Sequence, residues 1–467
     1  SVDEIKITTG YKVNIVIDSD GDIDRAIERI YGKEGETAKD ALEGLKKAAG
    51  GDVVVEEAKG PPPEEEDGIT TLGDEEAVPV VQIVNLILGR AVKTRASDIH
   101  IEAYQKILRV RYRMDGVLHE QPAPPKRFLN AIMSRLKIMA NLDIAERRRP
   151  QDGRIKIRID GKDIDLRLSI CPCAGGEKAV MRIMDASAMT VDINKLGMDP
   201  ENFAIFTKRM QDPHGIILVT GPTGSGKSTT LYSTLNALND PETNIMTAED
   251  PVEFQMHGIN QVHCLSEIGL NFAAALRSFL RQDPDIIMVG EMRDKETVEI
   301  GINAALTGHL VFSTLHTNDA PGAITRILMM GIDPVLISSA LTMVIAQRLL
   351  RRICKECKEP YEVETSWLAS LGVQQKRLPS TPKATLYRGK GCENCNNSGY
   401  RGRMGVHEVL EVTDEIRDMI CQRATGLKIK ETAIRKGMIT IQESSLRKLL
   451  DGSTSAEEVI RIIGAHA

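Results

Sequence analysis

Nine residues, Gly221-Pro-Thr-Gly-Ser-Gly-Lys-Ser-Thr229, restrict what this chain can fold into more than any other stretch. Glycines at 221, 224 and 226 let the backbone curl so that its N–H groups converge on an anion. The apolar run Gly215-Ile-Ile-Leu-Val-Thr220 comes directly before, and Leu231, Leu235 and Leu238 recur at helical spacing after it. Strand, glycine loop and helix stand in the order that G-x-x-x-x-G-K-[ST] requires of a phosphate-binding loop. The expected nucleotide-binding residues are Gly221, Pro222, Thr223, Gly224, Ser225, Gly226, Lys227, Ser228 and Thr229. In such a loop Lys227 reaches the β- and γ-phosphates of a nucleoside triphosphate, and the Ser228 hydroxyl ligates magnesium. The bland alternative is a glycine-rich turn ahead of a helix, and the context argues against it.

Three polar clusters come after the loop, each behind an apolar or strand-like stretch. They are Glu249-Asp-Pro-Val-Glu253, the Gly290-Glu291 step inside DPDIIMVGEMRD (283–294), and the stretch from Thr307-Gly-His309 to His316. A magnesium-nucleotide site needs acids around the metal and a group that orients the attacking water. Each cluster alone is weak, since a lone histidine is more often structural. In this order after a phosphate loop they support one another.

Strands alternate with helices from about residue 190, the pattern of a mostly parallel sheet and an α/β fold. A chain of 467 residues suits two to four domains, and 42% hydrophobic residues allow real cores. Residues 1–34 start in strand-like sequence, with an amphipathic helix expected over 22–32, and read as the remnant of an N-terminal domain. Residues 35–74 read as a flexible linker, because Pro61-Pro-Pro63 and Glu64-Glu-Glu-Asp67 cannot bury apolar surface. Residues 75–188 form an α+β domain. There Leu108, Val110, Tyr112 and Met114 alternate with Arg109, Arg111 and Arg113, and Asp160-Gly161 turns one strand into the next. The nucleotide-binding core spans 189–350, a cysteine-bearing loop region 351–412, and a helical region 413–467.

A net charge of -6 and 3% aromatic residues do not mark the whole chain as a nucleic-acid binder. The apolar run Pro334–Gln347 is shorter than the roughly 20 residues that span a bilayer. No basic-then-apolar signal opens the chain. The expectation is a cytoplasmic protein.

Of eight cysteines, four form the pairs Cys354-x-x-Cys357 and Cys392-x-x-Cys395. Two such knuckles supply the four thiolates that tetrahedral zinc prefers. An iron–sulfur cluster, a redox dithiol and reduced surface cysteines are the alternatives. The residues between the pairs are too polar to build a core of their own, so a metal clip would close that loop.

The motif set GPTGSGKST (221–229), EDPVE (249–253), DPDIIMVGEMRD (283–294) and TGHLVFSTLHTNDA (307–320) resembles that of the secretion ATPase superfamily, the motors of type II secretion and type IV pili. The resemblance covers roughly residues 75–467. It implies a RecA-like P-loop domain preceded by an α+β (PAS-like) domain, with a zinc clip and a C-terminal helical segment. It also implies a homohexamer that hydrolyses ATP with Mg2+ and carries Zn2+. In that family Glu291 holds magnesium through water, Glu253 activates the attacking water, and Glu249 and Asp250 support them. His309 and His316 would sense the γ-phosphate or link the site to its neighbour. Arg113, Arg154 and Arg167 would be candidates to complete a neighbouring subunit's site. The cysteine pairs match pilus-extension and secretion motors, whereas retraction motors lack them. The implied work is pilin extrusion through an inner-membrane platform protein, at the cytoplasmic face of that membrane. A type II secretion motor is the second reading, a nucleic-acid-translocating motor the third, and a nucleotide sensor without turnover the last.

Overall fold

The computed structural model describes residues 42–46, 55–57, 74–184 and 192–464. The chain divides into two compact units, one up to Ile183 and one from Met184 onward. The helix expected over 22–32 lies outside the described residues. Among the described residues no helix is long and apolar enough to cross a membrane.

The first unit is a seven-stranded sheet. Its strands are β1 (Val55–Glu57), β2 (Asp98–Ala103), β3 (Leu108–Met114), β4 (Val117–Gln121), β5 (Gln151–Ile159), β6 (Lys162–Cys173) and β7 (Gly176–Met184), in the order β1-β5-β6-β7-β2-β3-β4. Period-2 patterning explains its two faces. Leu108, Val110 and Tyr112 are buried against helices Asp74–Lys93 and Leu129–Met139, and the Tyr112 hydroxyl donates to the Ile87 carbonyl at 2.7 Å. The arginines between them face the other way and find acids. Arg109 pairs with Glu120, Arg111 with Glu102 through both oxygens, and Arg113 with Asp98. The turn between β5 and β6 falls at Asp160-Gly161, where both residues have positive φ.

Two short pieces lie within the stretch read as a linker. Residues 42–46 form a helical turn whose Leu42 and Leu45 join the first unit's core, and Val55–Glu57 pairs with β5 as the sheet's outer strand. A local surplus of Pro and Glu at 61–67 thus says little about the apolar residues ahead of it.

The second unit holds another seven-stranded sheet. Its strands are β8 (Gly215–Thr220), β9 (Ile245–Glu249), β10 (Asn260–His263), β11 (Ile286–Val289), β12 (Leu310–Leu315), β13 (Leu341–Ile353) and β16 (Tyr400–Glu411), in the order β10-β9-β11-β12-β8-β13-β16. All neighbours run parallel except β13 and β16. Alternate residues of each strand enter different cores. Ile216, Leu218, Ile287 and Val311 pack on one face, and Ile217, Val219, Met288 and Phe312 on the other. Both faces are covered, which is why these strands read as continuous apolar runs.

The apolar run 334–347 is half helix (Pro334–Ala340) and half strand, and β13 continues through position 350 to Ile353. Cys354 comes directly after β13, so the cysteine region is an excursion between two paired strands of the main sheet. It builds a ribbon from β14 (Lys358–Glu364) and β15 (Lys383–Gly389). Its Leu368 and Leu386 are fully buried, sharing a small core with Leu446, Leu449 and Val459 of the C-terminal helices. The excursion is too polar for a core of its own, as composition suggests, but it borrows one.

Candidate active site and candidate metal centre

The phosphate loop leaves the C-terminal end of β8 and enters helix Lys227–Leu238. Gly221 has φ 151°, and a Cβ there would stand 2.5 Å from Ser225 Oγ and 2.6 Å from the Gln347 carbonyl oxygen. Gly226 caps the helix at φ 90°, with Gln347 Nε2 2.8 Å from where its Cβ would sit. Side chains are excluded at both positions by β13 behind the loop. Gln347 also accepts the Thr230 hydroxyl at 2.7 Å, which fixes the first helical turn to β13. Ser225 Oγ is buried and has no hydrogen-bond partner within the protein, as fits a loop that a phosphate completes. The Lys227 ammonium donates to the Gly221 carbonyl at 2.9 Å. Burial lowers its pKa, while Glu291 pulls the other way.

Pro222, Thr223 and Gly224 form the exposed crest of the loop. The Pro222 carbonyl accepts the Ser225 N–H at 3.2 Å and the Lys227 ammonium at 3.3 Å, so the crest is closed on itself as a turn. Gly224 has φ 78° with open space where a Cβ would sit, so the backbone conformation and not crowding calls for glycine there. These three residues do not line the cleft that gathers the acids, and neither does Thr229. Lys227 and Ser228 face the cleft, and Pro222, Thr223 and Gly224 make the loop's outer turn.

Lys227, Ser228, Glu249, Glu253 and Glu291 line one small cleft of about 120 Å³, beside Asp250 and Arg293. They come from three strand ends, because ligands of a parallel sheet gather beyond the carboxyl ends of its strands. Glu291 lies just past β11. Its Oε2 accepts from Arg293 Nε at 2.7 Å, and its Oε1 faces His316 Nε2 at 3.2 Å. Glu249 closes β9 and is buried. It accepts from the Tyr232 and Thr247 hydroxyls and from Gln261 Nε2 at 3.0 Å. Glu253 lies beyond the cis Asp250–Pro251 bond on irregular backbone, so it is no helix-start carboxylate.

His309 and His316 stand at opposite ends of β12. His316 comes after its C-terminal end and joins the cleft through Glu291. His309 precedes the strand, with Nδ1 2.8 Å from the Ala304 carbonyl. Seven residue steps at roughly 3.3 Å each place it about 23 Å from His316 along the strand. It therefore does not reach the phosphate loop of its own chain.

Arg113, Arg154 and Arg167 all belong to the first unit. Asp98 lies 3.6 Å from Arg113, which also donates to the Gly116 carbonyl. Arg154 and Arg167 are direct partners across the β5–β6 pair. Arg113 is thus held in an ion pair within its own sheet.

Sequence reasoning missed Tyr232, Gln261, Gln347, Arg348 and Thr314. Tyr232 is fully buried, and Thr314 Oγ1 donates to the Gly290 carbonyl at 2.7 Å. Arg348 is buried behind the loop and donates to the carbonyls of Gln347 and Asn318. The usable signal was Gln347-Arg348, a polar step inside an apolar strand.

The four paired cysteines come together. Cys354–Cys392 and Cys357–Cys395 Sγ atoms are 3.8 Å apart, and Cys392–Cys395 3.7 Å. All four lie within 4.8 Å of one another. A tetrahedral ion with metal–sulfur bonds of about 2.3 Å spaces its thiolates by about 3.8 Å, so the set fits a single metal ion. Backbone N–H groups of Gly391, Cys392 and Gly399 point at these sulfurs at 3.2–3.3 Å, as thiolates require. The cluster is a candidate metal centre.

The sheet order and the convergent cleft define a RecA-like P-loop ATPase. Among solved structures the chain is similar to the pilus retraction motor PilT with bound ADP. The TM-score is 0.54 at 27% identity, covering 80% of this chain and 95% of that one. The Legionella pneumophila ATPase DotB shares the fold, with TM-score 0.58 at 20% identity over 86% of this chain and 98% of that one. The chain belongs to the type II/IV secretion system protein family, whose pattern matches residues 73–461. It is 51% identical over 462 residues to the type IV pilus assembly ATPase PilB of Myxococcus xanthus (strain DK1622), covering 98% of this chain and 80% of that protein. It is also 50% identical over 393 residues to the type II secretion system ATPase E of Vibrio cholerae serotype O1, covering 84% and 76%. The chain is an ATPase of this family.

Proposed function

We propose that this chain is the motor of type IV pilus assembly, hydrolysing ATP as a homohexamer and working through an inner-membrane platform protein at the cytoplasmic face. The observation that carries this reading is the convergence of Lys227, Ser228, Glu253 and Glu291 on one cleft. It occurs in a chain that matches a pilus assembly ATPase across 98% of its length. Lys227 supplies positive charge between the β- and γ-phosphates, and the loop N–H groups hold them. Ser228 and Glu291 would hold magnesium, which neutralises charge that develops on the phosphates. Arg293 and His316 fix the direction of the Glu291 carboxylate. Glu253 orients the attacking water and takes its proton. His316 reports on this centre through Glu291.

Arg154 and Arg167 are the stronger candidates to enter a neighbour's site. They stand directly opposite on paired strands, which brings two cationic side chains to one face of the sheet. Cys354, Cys357, Cys392 and Cys395 would hold zinc as a closed, structural site without catalytic chemistry.

The second reading is a type II secretion motor, favoured by the 50% identity to the Vibrio cholerae protein. Expression in Myxococcus xanthus lacking its PilB tests the choice. Restored pili, lost again with Lys227→Ala, support the first reading. Failure there with restored secretion in Vibrio cholerae lacking its ATPase E transfers the assignment to the second. Stimulation of ATPase rate by nucleic acid would instead favour a nucleic-acid motor.

A further inference from the structure

Glu253 sits on backbone that belongs to no helix or strand, so its place must be fixed by other bonds. Gln261 secures the residues just after it, donating to the Phe254 carbonyl at 3.1 Å and accepting the Met256 N–H at 2.7 Å. At Glu253 itself, the backbone N–H donates to the Tyr232 hydroxyl oxygen at 3.2 Å. Tyr232 lies one helical turn after Ser228, on the helix that the phosphate loop opens. Its hydroxyl proton goes to Glu249, and its ring packs edge-on against Phe254 with centroids 4.7 Å apart. Burial, with Glu249 adding to it, raises the phenol far above its ordinary range, so it stays protonated.

One buried hydroxyl therefore joins three parts of the active centre: the P-loop helix, the acid closing β9, and the segment bearing Glu253. We propose that Tyr232 is a positioning residue for hydrolysis, setting Glu253 against the nucleotide held by Lys227 and Ser228. Tyr232 lines the same cleft, but its hydroxyl is engaged by Glu249 and the Glu253 N–H, so the role assigned to it is to hold Glu253 in place. This rests on Glu253 being the group that orients water.

Tyr232→Phe keeps the ring and removes the hydroxyl. A misplacement of about 1 Å can cost on the order of 100-fold in rate, so kcat should fall roughly 10- to 100-fold. KM for ATP and the dissociation constant of a non-hydrolysable ATP analogue should change less than about twofold, since the loop itself is untouched. The discriminating measurement is a cycle with Glu253→Gln in the full chain. If Tyr232 acts through Glu253, adding Tyr232→Phe to Glu253→Gln lowers kcat no further. Tyr232→Phe turnover within twofold of the unaltered protein overturns the proposal. So does an equal loss in both backgrounds, which would mark a general structural effect. Should Tyr232→Phe melt below the assay temperature, the same cycle is run at a temperature where it stays folded, and the same outcomes decide. Normal turnover by Glu253→Gln would instead remove Glu253 as the water-orienting group, a separate failure.

Discussion

Removing the metal from the four-cysteine cluster should loosen one defined part of the molecule and leave the ATPase sheet folded. The cross-link from Cys354 to Cys392 closes a loop of 38 residues. Loop-closure reckoning gives roughly 4 kcal/mol for a cross-link of that length. The segment keeps other anchors, because Leu368 and Leu386 remain packed on Leu446, Leu449 and Val459. Loosening rather than complete unfolding is therefore expected. Cys354 comes directly after β13, so the effect should reach the β13–β16 pair at its outer end, where the register already shifts between Arg351 and Ile353. Protein purified without chelator should carry about one zinc per chain by elemental analysis. In Cys354→Ser, or after chelation, amide hydrogen exchange over 354–400 should quicken by up to roughly a thousandfold, the equivalent of 4 kcal/mol. Amides of β8, β11 and β12 should keep their protection. Unchanged exchange over 354–400 after the metal is gone would refute the reasoning, and iron or no metal would remove the zinc assignment.

Glu253→Gln should bind nucleotide normally and lose about 10²–10⁴-fold in kcat, whereas Glu291→Gln should raise the magnesium concentration needed for half-maximal rate; steady-state phosphate release checks both. If Glu253→Gln is active and Glu249→Gln is dead, the roles within the box are reversed. An Arg154→Ala, Arg167→Ala double variant should be nearly inactive alone, yet regain turnover when mixed with Glu253→Gln subunits shown to co-assemble, with a maximum at intermediate ratios. A fully active double variant ends that idea. His407 is buried and its imidazole is pushed down to about 3 by burial, with Lys448 adding to it. The folded chain then binds this proton less readily than the unfolded chain, so stability falls as pH drops below about 6.5, by up to about 1.4 kcal/mol per pH unit. Urea midpoints of the unaltered protein should fall from pH 7 to 5 more steeply than those of His407→Leu, and parallel curves would exclude the imidazole as the cause.

What was legible in the sequence was local. The strand–loop–helix unit at 215–238 declares itself within two dozen residues, and the cysteine pairs carry their own spacing. The residues that were missed act through partners that sequence does not place beside them. Tyr232 meets Glu249 17 positions away, Gln261 meets it 12 away, and Gln347 meets Thr230 117 away. The alternation of Arg109, Arg111 and Arg113 is legible, but their acids, Glu120, Glu102 and Asp98, lie on neighbouring strands that the sequence does not place beside them. His309 and His316 share one motif, and only the strand between them shows that they serve opposite edges of the sheet. The strands β13 and β16 were obscured because the excursion bearing the cysteines separates two halves of one antiparallel pair.

The central claim is that this P-loop hydrolyses ATP. It is tested most directly by phosphate release from the purified full chain with magnesium and ATP, measured beside Lys227→Ala. The account predicts steady turnover by the unaltered protein and only background release by the variant, because the charge that bridges the β- and γ-phosphates is gone. Equal turnover by the two proteins, or none by the unaltered one, would contradict it.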